Sequence, residues 1–396
     1  MSAPIPHSPA AAPAAPPPEV IVVGAGMAGL ACARALADHG VAVRVLDKGR
    51  GIGGRMATRR VALPGPDRQT ELRFDHGAQY VTARDPGFAA VLDGAAAAGA
   101  AAVWDRTGPR PRFTGLPGMS GLARHLAAGV EVVQGAAVTG LRRTRAGWAL
   151  HLGATVMTAP RVVLAIPAPQ AAALLGAADV APGGQAGGQA GRLLEALAGV
   201  RMAPCLTLMA AFPAGGAPDA DLRDAGSPDT GPRATSPLGA RFLADADHPL
   251  AWIARDSSKP GRTGSGPDAG AGTGTDAGGV SGWVAQAGPA WSARHLDEAP
   301  DAIAARMLPL LAARLGLAPG AARHVAAHRW RYARVETPLG APFLADAASG
   351  LWLAGDWCLG ARVEAAWHSG RAVAAAVAAA GTAAGTVVRG RGRGTQ

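Results

Sequence analysis

Three groups of residues in this 396-residue chain have the types and spacing to do chemistry. The run Gly24-Ala25-Gly26-Met27-Ala28-Gly29 carries the G-x-G-x-x-G spacing. In that pattern the first glycine permits a tight turn, the second lets backbone approach a pyrophosphate, and the third lets a helix pack closely on a strand. An anion placed there meets the free N–H groups of a helix N-terminus. Asp47 ends the next apolar run, where a carboxylate can accept hydrogen bonds from ribose hydroxyls and disfavours a 2′-phosphate, so NADP is not the nucleotide expected at this site. The second group is Asp47-Lys48-Gly49-Arg50-Gly51-Ile52-Gly53-Gly54-Arg55, in which guanidinium forks suit phosphate and paired glycines bring backbone N–H groups close to it. The third lies far along the chain: Leu351-Trp352-Leu353-Ala354-Gly355-Asp356, then Val363-Glu364 at the start of a helical run.

The elements needed to position these groups can be read from periodicity. Val20–Val23 is a short buried strand, Met27–Gly40 is helical with Leu30, Ala33 and Leu36 on one face, and Val41–Leu46 is a second strand. A glycine-rich turn in some other α/β protein is the alternative, but it gives no reason for strand, glycines, helix and acid to arrive in this order. Val130–Val133, Val138–Leu141, Trp148–Leu150 and Val162–Ile166 read as further strands. Leu206–Phe212, Leu250–Arg255 and Gly282–Gln286 read as strands of a second region, and Ala302–Leu315 as an amphipathic helix.

Bulk composition excludes several classes. The chain is long enough for two or three domain-sized pieces. The 56 Gly, 32 Pro and the near-absence of Lys among 38 basic residues look like the coding bias of a GC-rich bacterial genome. A net charge of +10 can attract nucleic acid, membrane or small anions, but no dense basic patch is interleaved with aromatics, and Arg142, Arg143 and Arg145 read as a solvent-facing hairpin edge. Nucleic-acid binding is therefore not expected. Cys32, Cys205 and Cys358 are odd in number, widely spaced and without a CxxC pair, which argues against a disulfide framework or a metal site and fits the cytoplasm. The first nineteen residues lack the pattern of a secretory signal, and Ala372–Val388 is too poor in Leu, Ile and Val for stable membrane insertion.

The extension to Gly53-Gly54-Arg55 resembles that of the amine oxidase-like flavoproteins. One branch is closer still: Phe74-Asp75-His76-Gly77-Ala78-Gln79-Tyr80, Ala165-Ile166-Pro167, His328-Arg329-Trp330-Arg331-Tyr332-Ala333, and Gly355-Asp356-Trp357-Cys358 leading to Arg362-Val363-Glu364 together resemble the renalase-like NAD(P)/FAD-dependent oxidoreductases. This resemblance implies non-covalent FAD. Its contacts would come from Gly24, Ala25, Gly26, Met27, Ala28, Gly29, Asp47, Lys48, Arg50, Gly53, Gly54, Arg55, Val138, Asp356, Val363 and Glu364. Asp356 would bind ribityl hydroxyls, and the helix start at Val363 and Glu364 would face the flavin pyrimidine; a simple capping role for Glu364 is the alternative.

The same resemblance implies a substrate that is a dihydro isomer of a nicotinamide dinucleotide, giving hydride to flavin N5, with dioxygen restoring the flavin and releasing hydrogen peroxide. Such a reaction needs orientation more than a strong base. Candidates for orienting the substrate are His76, Gln79, Tyr80, Trp283, Trp330 and Tyr332, and Arg84, Arg329 and Arg331 could meet its phosphates. Lone aromatics are more often core, and His76 beside Asp75 could be a satisfied buried pair. A general amine oxidase is the enzymatic rival. Its usual lysine near N5 is not evident, since Lys48 lies in the nucleotide loop and Lys259 in an expected insertion. A carotenoid or protoporphyrinogen-type dehydrogenase would need a membrane-docking segment that is not seen. A non-enzymatic escort protein on the same fold is a third reading, although it would not need both cofactor sites.

The expected architecture is α/β: a discontinuous Rossmann-like FAD-binding domain from residues 20–60, 115–167 and 331–380, and a mixed-sheet α+β substrate domain from 61–114 and 168–330. Gly/Asp/Pro-rich stretches at 213–236 and 256–279 read as flexible insertions without chemistry, residues 1–19 as an Ala/Pro-rich tail and 381–396 as a basic one.

Overall fold

The computed structural model describes residues 17–64, 70–177, 186–214, 240–242, 245–262 and 279–390. Its first layer is a six-stranded sheet. In spatial order the strands are Leu344–Asp346, Leu351–Leu353, Arg161–Leu164, Val20–Val23, Val43–Asp47 and Glu131–Gln134, all parallel to their neighbours except the first. Every residue of Val20–Val23 is buried because the strand has covered neighbours on both faces. Val20 and Val22 pack against the helix Met27–Asp38 and the C-terminal helix, which begins at Val363. Ile21 and Val23 point the other way, into a core shared with the meander Gly140–Thr144, Gly147–Leu152 and Thr155–Ala159 and the helices Ala168–Gly176 and Ala186–Ala198.

The second region centres on a five-stranded sheet whose pairings are all antiparallel, so the mixed pairing of this fold sits in the first sheet. Its strands, in order, are Ala240–Phe242, Trp252–Arg255, Val280–Gln286, Arg201–Pro213 and His324–Thr337. One face packs on the helices Pro289–Arg294 and Pro300–Arg314. Phe74 and Leu72 of the hairpin Thr58–Leu63/Thr70–Asp75 cover part of the other.

Several sequence boundaries shift for packing reasons. Residues 81–113 do not all join the second sheet: Phe88, Leu92 and Ala95 of the helix Pro86–Ala97, with Ala101 and Phe113, complete the core under the nucleotide-binding helices. The expected break at residue 331 falls inside the strand His324–Thr337, which pairs with Arg201–Pro213 to its end. The insertion expected at 256–279 starts late, because Asp256, Ser257, Lys259 and Arg262 are buried; residues 263–278 lie outside the described set, as do 215–236 of the other insertion. The C-terminal helix continues to Gly390, beyond the expected start of the basic tail, and Glu19 ties the chain near its start to Arg161 at 2.9 Å. Among the described residues no helix is long and apolar enough to cross a membrane.

Candidate active site

A cavity of about 400 Å³ opens between the two sheets. The glycine loop forms one end through Gly26, Met27 and Ala28; Gly53 and Arg55 adjoin it, and Gly355, Asp356 and Val363 close it from the C-terminal segment. Trp252, Gln286, Trp330 and Arg334 of the antiparallel sheet form the opposite wall.

The loop is built for close approach. Gly24 holds φ at +107°, and a Cβ there would sit 2.5 Å from the Ala165 carbonyl oxygen. A Cβ on Gly29 would lie 1.9 Å from the Gly24 oxygen, so only glycine lets helix and strand meet. Gly26, by contrast, has open space where a Cβ would go. It precedes a helix with no side-chain cap and no acid in its first turn, leaving the N–H groups to an incoming anion. Asp47 stiffens the loop: Oδ2 accepts from the Ala25 N–H and Oδ1 from the Gly49 N–H, each at 2.6 Å, with lone pairs remaining for hydroxyl donors. The Gly53 N–H donates to the Ala25 carbonyl at 2.8 Å, which seats the extension against the loop.

Arg55 is placed otherwise than its sequence suggested. Its fork donates to both oxygens of Asp356, at 2.9 and 2.6 Å, and to the Ala333 carbonyl at 3.1 Å, so the guanidinium joins the two distant motifs instead of standing free for phosphate. Arg50 and Lys48 are exposed and outside the cavity wall. Glu364 also turns away from the cavity. One oxygen accepts from the Arg84 and Asp85 N–H groups at 2.6 and 2.8 Å, and the other from Arg362 at 2.8 Å. Burial by itself would raise its carboxyl, but these donors hold it below the usual range. Val363, one residue earlier, does line the cavity. Val138 packs into the meander core.

Gly77 and Ala78 form part of the wall, and the segment His76–Ala78 is fastened from three sides. Trp330 Nε1 donates to the His76 carbonyl at 2.7 Å, Gln286 Nε2 to the Gly77 carbonyl at 2.7 Å, and the Ala78 N–H to the Arg55 carbonyl at 2.8 Å. Gly77 is obligatory, since a Cβ would meet the Arg55 oxygen at 2.0 Å. The His76 ring stacks on Trp330 at 5.2 Å and meets the His328 edge at 4.7 Å. Burial, with Arg59 nearby, pushes the His76 imidazole down to about 4, so it is neutral at physiological pH and a weak base.

Behind this segment lies a buried ionic cluster that the sequence reading placed in a flexible insertion. Lys259 Nζ stands 3.1 Å from Asp75 Oδ2 and 2.5 Å from Asp256 Oδ1; Arg262 also grips Asp75, and all four side chains are inaccessible or nearly so. Burial would raise the Asp75 carboxyl, but Arg262 and Lys259 overcome this and hold it below its usual value. Gln79 accepts from Lys259 at 3.2 Å and donates to the Asp75 carbonyl, which directs it into the cluster and away from the cavity. No local signal in the Gly/Asp-rich stretch announces this cluster; only Lys259, one of two lysines in the chain, stood out.

Of the other aromatic candidates, Trp330 lines the cavity. Tyr80 lies one layer back, 5.8 Å from the wall residue Trp252 and under the Arg112 guanidinium. Trp283 packs on the helix-facing side of its strand, with Met307 and Leu311 in the same core. Tyr332 is partly buried beside a register shift and outside the wall. Wall residues Trp252 and Gln286 fall within strands legible in the sequence, but their facing is set by the neighbouring strands. Among the described residues no group of three or more His, Cys, Asp or Glu could hold a metal ion.

A glycine cradle at an uncapped helix, a carboxylate beside it and a cavity shared with a second, distant motif define a dinucleotide-binding fold. Residues 22–95 match the NAD(P)-binding Rossmann-like domain, and residues 84–378 match flavin containing amine oxidoreductase. The protein belongs to the flavin-containing amine oxidoreductase family, and is an FAD-dependent oxidoreductase. Cyclohexylamine oxidase from Brevibacterium oxydans shares 14% identity and a TM-score of 0.53 over 92% of this chain and 99% of its own. A structure described as a protoporphyrinogen oxidase from Exiguobacterium sp. gives 14% and 0.60 over 90% and 98%, and a putrescine oxidase gives 14% and 0.52 over 91% and 99%. At such identity these likenesses show the fold alone.

Proposed function

We propose that this enzyme is a renalase-like oxidase: a dihydro isomer of NADH or NADPH gives up a hydride and leaves as NAD(P)+, while dioxygen with one proton becomes hydrogen peroxide. Bound FAD supplies the two-electron relay between them. Gly24–Gly29 would hold its pyrophosphate, with the Gly53-Gly54 backbone alongside and Lys48 and Arg50 adding positive charge at the exposed end. Asp47 would accept from the adenosine ribose and Asp356 from the ribityl chain, and the helix start at Val363 would face the ring.

The observation that carries the reading is the chemistry of the cavity wall. It presents flat surfaces, Trp252 and Trp330, and three guanidinium groups, Arg55, Arg334 and Arg362. Its carboxylates are Asp356, already paired with Arg55, and the exposed Asp245. Such a wall suits a planar, phosphate-bearing donor better than an ammonium cation. A dihydropyridine aromatises on losing hydride, so the weakly basic His76 behind Trp330 is no obstacle; the residues need only stack and orient the ring and exclude water. The free thiols fit a reducing cytoplasm, where we place the enzyme.

The test mixes anaerobic holoenzyme with amines, ordinary NADH and NADPH, and their 2- and 6-dihydro isomers. The isomers should bleach the flavin fastest. Faster bleaching by an amine would replace this reading with amine oxidation.

A further inference from the structure

The three guanidinium groups of the wall are not equivalent. Arg55 is fixed by Asp356 and the Ala333 carbonyl, and Arg362 by Glu364 and Thr82. The Arg334 side chain alone is uncommitted: it is exposed at the cavity wall and among the described residues it has no hydrogen-bond or ion-pair partner. It stands beside a local irregularity. Trp330 pairs with Cys205 and Arg334 with Ala203, so four steps along one strand match two along the other. Beside this bulge Trp330, Ala333 and Arg334 line the cavity while Tyr332 does not. Cys205, a wall residue itself, feels the guanidinium: burial pushes its thiol up to about 11 and Arg334 pulls against that.

We propose that Arg334 is a specificity-determining residue that grips a phosphate of the substrate at the cavity mouth while its ring lies against Trp330. This rests on the reading of the substrate as a nicotinamide nucleotide, and it supersedes Arg84, Arg329 and Arg331 as phosphate contacts. Arg331 pairs with Asp297 at 2.8 Å, Arg329 donates to the Glu298 carbonyl at 3.0 Å, and neither these nor Arg84 lines the cavity. A free planar fork recognises a phosphate with two parallel hydrogen bonds, which a lone lysine charge would reproduce only in part.

The experiment compares 6-dihydro forms of nicotinamide riboside, which lacks phosphate, with the mononucleotide and the dinucleotide, using holoenzyme throughout. In R334Q the ratio of mononucleotide to riboside kcat/KM should fall roughly ten- to hundredfold, the range for losing a hydrogen bond to a charged group. R334K should keep part of that ratio, and R331Q all of it. NAD+ affinity, read from the shift it causes in flavin absorbance, should weaken in parallel in R334Q and become less sensitive to salt. An unchanged ratio in R334Q, with the dihydro forms still oxidised, overturns the assignment of Arg334 and leaves the proposed function standing. If wild-type enzyme oxidises no dihydro form but does oxidise an amine, both fall together.

Discussion

The two sheets that meet at the cavity line it by different means. On the parallel-sheet side the lining is largely main chain: Gly24, Gly26 and Gly29 expose a helix N-terminus, and the carboxylates of Asp47 and Asp356 stand beside it. Its energetics come from apolar strands buried on both faces. In the antiparallel sheet the surface is side chain, with Trp252, Gln286, Trp330 and Arg334 facing the cavity and the ionic cluster of Asp75, Asp256, Lys259 and Arg262 supporting the wall from behind. A site made of backbone tolerates few changes at its glycines and many around them. A site made of side chains spreads its dependence over residues far apart in sequence.

That contrast can be broken most directly at Gly29. Gly29→Val should abolish flavin-loaded protein altogether, because the Gly24 carbonyl cannot retreat without opening the loop. Soluble, yellow variant protein in normal yield would show that the backbone cradle is not needed.

Next in size is Asp75→Asn, which leaves Lys259 and Arg262 with Asp256 as their nearest remaining carboxylate. Removing one partner of a buried ionic group costs about 3–5 kcal/mol, to be read as a lower urea midpoint. The sign with pH follows from the direction of the shift. A carboxyl held below its usual value stabilises the fold above the unfolded value, about 4, and that stability is lost as pH falls through the lower folded value. The variant should therefore lose stability less steeply in acid than the wild type does, and an equal acid slope in both would detach Asp75 from this role.

Cofactor retention comes third. Asp47→Ala and Asp356→Ala should each weaken FAD binding by roughly tenfold or more, measured by dialysis and flavin absorbance. Undiminished flavin in both would remove the cofactor from the position argued above.

The smallest effect belongs to His76. Its imidazole is neutral in the fold down to about pH 4 but protonates near 6.5 when unfolded, so its contribution is complete above 6.5 and declines as pH falls toward 4. His76→Gln should flatten the stability profile across that window while changing little at pH 8. A profile identical to wild type would mean that the neighbouring His328, also pushed down to about 4 by burial and by His76, carries the dependence instead.

How much of this was legible follows from the range of the interactions. Val20–Val23, the glycine loop, Met27–Asp38 and Asp47 are contiguous, and their geometry is dictated by glycine φ values and apolar periodicity within one βαβ unit. Asp356 was found because a second short motif carries it, although its pairing with Arg55 was not. Trp283 and Trp330 were equal candidates for orienting a substrate, yet one faces the helices and the other the cavity. Alternation divides a strand into two faces without naming which is inner. Lys259 and Arg262 were hidden because Gly- and Asp-rich surroundings read as surface, and their burial depends on Asp75 in a different hairpin.

The amino-acid order alone thus determined the glycine loop, the strands beside it and the Gly-Asp segment that meets it at the cavity, since each is specified by a few neighbouring residues. Tertiary structure alone decided which guanidinium is free, which tryptophan faces the cavity and where two buried cations find their carboxylates. Those outcomes depend on strand register and on contacts across hundreds of residues, and no local pattern encodes either.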